Sequence, residues 1–101
     1  MKVLFICNQN KHRSKTAEVI FKDRFNTRSA GLFNEKPIQE ADMSWADTIA
    51  VMEDFQRTEL SNRFPKQYLN KKIISLNISD EFSYMQPELI SLLKKRMNEL
   101  F

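Results

Sequence analysis

Apolar and polar positions along the chain sort into two kinds of block. Residues 2–6 carry Val3-Leu4-Phe5-Ile6, apolar at consecutive positions, as in a strand covered on both faces. Residues 47–52 (Asp-Thr-Ile-Ala-Val-Met) and 72–78 (Lys-Ile-Ile-Ser-Leu-Asn-Ile) read as further strands, and 28–32 as a short second strand running into a turn at Gly31. Between them the spacing becomes helical. Residues 14–26 set Ala17, Ile20, Phe21 and Phe25 against Lys15, Glu18, Lys22 and Asp23, with Ser14 placed to cap the start and Asn26 to mark the end. A short helix is expected over 38–45, and another opens at Glu53-Asp54, runs to about residue 62 and stops before Pro65. Residues 65–71 read as a polar connection. Pro87 suits the first position of a last helix that buries Leu89, Ile90, Leu93, Met97 and Leu100. Trp45 is expected against the core.

Strands alternating with helices predict an α/β fold, a parallel sheet with right-handed crossovers and helices on both faces. In such sheets ligands bind beyond the carboxyl ends of the strands. That rim collects residues 7–13, after the first strand, and 79–86, after the fourth.

Residues 7–14 are Cys-Asn-Gln-Asn-Lys-His-Arg-Ser. A cysteine, five residues and an arginine, set between a buried strand and a helix start, is the spacing of an anion cup. The backbone N–H groups of Asn8, Gln9, Asn10, Lys11 and His12 can curl round one phosphate, and the Arg13 fork can grip two of its oxygens. The helix start and the nearby cations favour a thiolate at Cys7, and the Ser14 hydroxyl can donate to it. A thiolate beneath a phosphate is a nucleophile beneath an electrophile. The loop has no glycine, so Asn8 and Asn10 are the residues best able to take positive φ. The proton for the leaving oxygen must come from the other rim loop, where Asp80 is the first choice and Glu81 its rival. Phe82 and Tyr84 can wall the pocket.

Composition narrows the picture. The 101 residues predict one domain spanning 1–101. One cysteine excludes an internal disulfide and a multi-cysteine metal site, and one histidine, His12, gives a metal no second imidazole. His12 is expected at the mouth, on the substrate side. Arg13 and the N–H cup supply the positive field, so no metal or cofactor is called for. The net charge of +3 suits an anionic substrate without indicating nucleic acid. There is no transmembrane stretch and no signal-peptide pattern, so the expected setting is cytoplasmic, with no membrane partner. Oligomeric state is not written in the sequence.

The block Cys7–Ser14, followed by Ala17-Glu18, resembles the signature loop of the low-molecular-weight protein tyrosine phosphatases. Ser29-Ala30-Gly31 resembles that family's second strand and turn, and Asp47–Glu53 its third strand and the acidic residue beyond it. The resemblance implies a three-layer fold of the phosphotyrosine protein phosphatase I type, with four parallel strands in the order 2-1-3-4. It implies Cys7 as nucleophile, Arg13 as phosphate binder, Ser14 as thiolate partner, and Asn10 in a left-handed conformation held by a hydrogen bond from Ser29. The chain departs from the family in three ways: Gln9 stands where glycine is usual, no proline follows Asp80, and the 33–44 region is short. The expected activity is metal-independent hydrolysis of phosphomonoesters through a phosphocysteine on Cys7, with phosphotyrosine the leading substrate class and a phosphorylated protein or a small phosphoester as the substrate. Three alternatives stand beside it. A non-catalytic phosphate- or phosphopeptide-binding module is the main one. An arsenate reductase lacks relay cysteines here, and a phosphocysteine carrier has no need of Arg13.

Overall fold

The computed structural model describes residues 1–101. The sheet has four strands, all parallel, in the order β2-β1-β3-β4: β1 is Lys2–Cys7, β2 Asn26–Gly31, β3 Thr48–Val51 and β4 Lys72–Ser75. The helices are α1 (Arg13–Ile20), α2 (Glu40–Trp45), α3 (Asp54–Arg63), α4 (Pro65–Asn70) and α5 (Pro87–Leu100). This is the expected three-layer architecture and strand order.

β1 explains why its apolar run does not alternate. Val3, Phe5 and Cys7 face a core closed by Ala17 and Phe21 on one side of the sheet and by Leu89, Leu93 and Met97 of α5. Leu4 and Ile6 face a second core with Met43, Ile49, Val51 and Leu60, under α2 and α3. Val3 to Cys7 are therefore all buried, whichever way each side chain points. Phe5 and Phe21 stack with ring centroids 5.7 Å apart. Trp45 packs at the edge of the second core, and the Arg28 guanidinium lies 4.2 Å over its ring.

Several boundaries differ from the sequence expectation. The first helix starts at Arg13 and ends at Ile20, not Asn26. Its N-cap is His12, and Ser14 makes no cap but turns into the site. Residues 21–25 form a turn closed by Phe25 N–H on the Phe21 carbonyl, and this frees Asn26 to pair with the start of β1. β2 thus begins two residues earlier than its apolar content indicates. It is an edge strand whose outer positions stay exposed. Gly31 is its last residue, opposite Cys7, and its φ is not positive. A Cβ there would meet the Asn34 side chain, with Cγ at 2.8 Å, so a larger residue at Gly31 would have to displace that amide. Residues 65–70 are helical, with Pro65 at the first turn.

β4 stops at Ser75, three residues short of the expected end, because Asn77 adopts φ 59°. The chain stays attached beyond the break. Leu76 N–H donates to the Val51 carbonyl (2.9 Å) and Ile78 N–H to the Met52 carbonyl (2.7 Å). α5 opens on Pro87 and Glu88. A hydrogen bond from its own backbone N–H, then one from Gln86, holds the exposed Glu88 carboxyl below its ordinary range.

Candidate active site

The carboxyl ends of β1, β3 and β4 converge on one cleft of about 380 Å³, lined by Cys7 to Gln9, Lys11 to Arg13, and Asp80 to Ser83. Cys7 ends β1 and is 3% exposed, at the floor. Its Sγ lies 2.9 Å from Ser14 Oγ. The Ser14 hydroxyl also lies 2.7 Å from the Asn10 side-chain oxygen. A neutral Cys7 donates through Ser14 to Asn10. In the thiolate state the same hydroxyl turns to donate to sulfur.

Asn10 has φ 54°, the only positive value in the loop. Asn8 is not left-handed; its Oδ1 accepts from Gln56 Nε2 (2.9 Å) and its carbonyl from Phe33 N–H (2.9 Å). Gln9 also has negative φ, so the loop has no need of glycine there. None of the backbone N–H groups from Asn8 to His12 donates to a protein acceptor. They remain available to an anion in the cleft.

Arg13 is 1% exposed and fixed from three elements. Its Nη1 donates to Glu53 Oε1 (2.6 Å), just beyond β3, and to the Ile78 carbonyl (2.7 Å), just beyond β4. Nη2 lies 3.7 Å from Asp80 Oδ1. With Nη1 fully engaged, Nη2 and Nε are the edges that face an incoming oxyanion. Asp80 itself is 60% exposed, and Glu81 shares its rim.

Of the expected site residues, Cys7, Asn8, Gln9, Lys11, His12, Arg13, Asp80, Glu81 and Phe82 line the cleft, with Ser14 and Asn10 beneath it. Tyr84 does not. Its side chain is 48% exposed and lies off the cleft. Ser29 does not hold Asn10. It sits opposite Phe5, below the rim, and its hydroxyl donates to Glu18 Oε1, while Ser14 takes the Asn10 contact. His12 stands exposed at the mouth of the cleft and also reaches the facing loop, where its Nδ1 accepts from Tyr84 N–H (3.0 Å).

Two further residues, Glu53 and Gln56, are central to the geometry. Glu53 anchors Arg13. Gln56, fully buried, accepts from the N–H groups of Met52 (2.8 Å) and Glu53 (2.9 Å) while it donates to Asn8. Glu53 follows the carboxyl end of β3, on the same rim as the loops after β1 and β4. Nothing in the sequence marks Gln56.

The family model of the low molecular weight phosphotyrosine protein phosphatases matches residues 2–78. The chain belongs to that family. It is accordingly a cysteine-based phosphatase of a metal-independent class. The matched stretch holds the loop, Glu53 and Gln56 and stops just short of Asp80. No curated protein sequence matches the chain significantly. Solved structures do. The YwlE arginine phosphatase of Geobacillus stearothermophilus superposes with a TM-score of 0.78 at 18% identity, over 98% of this chain and 92% of that one. Wzb of Vibrio vulnificus, solved with benzylphosphonate, gives 0.79 at 19% over 98% and 95%. A low molecular weight protein tyrosine phosphatase of Bacillus subtilis gives 0.74 at 21% over 98% of each. At these identities the likeness speaks for the fold.

Proposed function

We propose that the chain hydrolyses phosphate monoesters, phosphotyrosine foremost, through a phosphocysteine on Cys7. The thiolate attacks phosphorus as the bond to the leaving oxygen breaks, and a protonated Asp80 gives that oxygen its proton. The free N–H groups of the loop and the open edge of Arg13 hold the equatorial oxygens, where charge grows in the transition state. Asp80, now a carboxylate, takes a proton from the water that attacks phosphorus. The S–P bond breaks and the thiolate is restored.

The observation that carries this reading is a buried sulfur beside a hydroxyl, under a run of N–H groups with no protein acceptor. Asp80 is preferred to Glu81 because it alone of the two lies within ion-pair reach of Arg13. Phe82 is the aromatic wall and favours an aryl leaving group. Two neighbours lend support in kind. A cysteine-to-serine variant of a YwlE arginine phosphatase carries a phosphorylated active-site serine. The Vibrio vulnificus Wzb structure holds benzylphosphonate.

The test is turnover of p-nitrophenyl phosphate. Cys7→Ser abolishes it, and Asp80→Asn lowers kcat by about 10²-fold or more. An unchanged Asp80→Asn rate moves the acid to Glu81. Oxyanion binding by a wild type that turns nothing over establishes a binding module instead. Peptides bearing phosphotyrosine and phosphoarginine, compared by kcat/KM, decide the substrate class, and a preference for phosphoarginine overturns the aryl assignment.

A further inference from the structure

The loop that carries Asp80, Glu81 and Phe82 packs Phe82 on the core and closes on itself through Gln86, which accepts from Ser83 N–H, and its backbone is also tied to α1. Two consecutive backbone N–H groups, those of Tyr84 and Met85, donate across the cleft edge to α1. Tyr84 N–H donates to His12 Nδ1 (3.0 Å) and Met85 N–H to Thr16 Oγ1 (2.9 Å). The Thr16 hydroxyl is fully buried and itself donates to the His12 carbonyl (2.7 Å), so both acceptors belong to one rigid turn. Met85 has φ 60°, a conformation a non-glycine residue keeps only when its surroundings impose it. The strained residue and the two bonds coincide.

We propose that His12 is a positioning residue: its neutral imidazole latches the 79–86 loop to the phosphate-binding loop, and protonation opens the latch. Tyr84 N–H donates to Nδ1, so the proton of the neutral ring sits on Nε2. A proton added at Nδ1 turns the acceptor into a donor and sets it against another donor. Histidine is the side chain whose charge changes in the range pH 5 to 8. The titratable and charged groups that share the cleft with this ring are Cys7, Lys11 and Arg13 on its own loop and Asp80 and Glu81 across it; Lys15 follows three residues later on α1, and Tyr84 meets the ring through its backbone N–H. The Thr16 bond has no titrating partner and acts as a hinge that stays closed.

This proposal rests on the reading of Asp80 as the acid only for its kinetic consequence. The latch is tested without catalysis, by amide exchange protection in the ligand-free full chain. Tyr84 protection falls about tenfold as pH is lowered through the histidine range, while Met85 and the amides of β1 keep theirs. His12→Ala leaves Tyr84 unprotected at every pH. His12→Asn, whose Oδ1 takes the place of Nδ1 and does not titrate, restores protection and removes the pH step. Tyr84 protection that is unchanged in His12→Ala, or a pH step that survives in His12→Asn, overturns the latch. Kinetics test positioning. His12→Ala lowers kcat for phenyl phosphate, whose leaving group needs the proton, about tenfold more than for p-nitrophenyl phosphate, and His12→Asn recovers most of the difference. Equal losses with both esters overturn the positioning role even if the amides behave as expected. Neither failure touches the acid assignment, which Asp80→Asn decides on its own.

Discussion

Arg13 is the largest side chain sealed inside this protein, and it is charged. A guanidinium is buried at low cost only if its N–H groups are met, and two of them are met by Glu53 and the Ile78 carbonyl. Glu53 is partly exposed, so its worth is below that of a fully desolvated partner. Glu53→Gln keeps the shape and removes the charge. It is expected to lower stability by about 2 kcal/mol, read from the urea midpoint at constant m. The freed guanidinium then swings toward Asp80, the nearest remaining carboxylate. KM for p-nitrophenyl phosphate therefore rises more than kcat falls, because the edge meant for phosphate is taken. An unchanged midpoint would show that the Ile78 carbonyl alone suffices.

At the scale of elements, the break in β4 matters most. Asn77 turns left-handed, and that kink carries the Ile78 carbonyl under Arg13 and releases the following residues into the acid loop. Asn77→Val puts a β-branched residue where φ is positive, at a cost of about 1–2 kcal/mol. Asn77→Gly removes that strain and is expected to stay within about 0.5 kcal/mol of wild type. The matching functional readout is kcat, reduced in Asn77→Val by loss of the carbonyl's hold on Arg13 and near normal in Asn77→Gly. The kink also shows what the sequence could and could not convey. β1 and the anion loop were legible because burial on both faces leaves a continuous apolar run, and the cysteine-to-arginine spacing has a geometric meaning. β2 was legible only in part. An edge strand of Asn-Thr-Arg-Ser-Ala-Gly takes its position from pairing with β1, which no local pattern records. β4 is shorter than its apolar run because Leu76 and Ile78 stay buried after the strand has ended. Burial and strand geometry part company there, and hydrophobic pattern reports only burial. The family resemblance places Ser29 against Asn10, but its register opposite Phe5 keeps it below the rim.

For the molecule as a whole, the sheet supplies the stability and its carboxyl rim supplies the chemistry, and one side chain joins the two. Arg13 starts α1, reaches Glu53 after β3 and reaches Ile78 and Asp80 after β4. An oxyanion in the cleft joins the same parts from above, through the loop amides and the open guanidinium edge. Binding to the native state alone stabilises by RT ln(1 + [L]/Kd), about 2.7 kcal/mol at a hundredfold excess over Kd. For a chain of this size each kcal/mol moves Tm by about 4–8 °C. Phosphate or vanadate at that excess is therefore expected to raise Tm by more than about 10 °C. Arg13→Lys keeps a positive charge but loses the planar fork, so it cannot hold Glu53, the Ile78 carbonyl and two phosphate oxygens together. It is expected to melt lower without ligand and, at the same anion concentration, to gain less than half of the wild-type shift. Thermal scans across an anion titration check both halves. A full shift in Arg13→Lys would mean that the loop amides carry the anion alone, and that Arg13 is there to hold the rim rather than the phosphate.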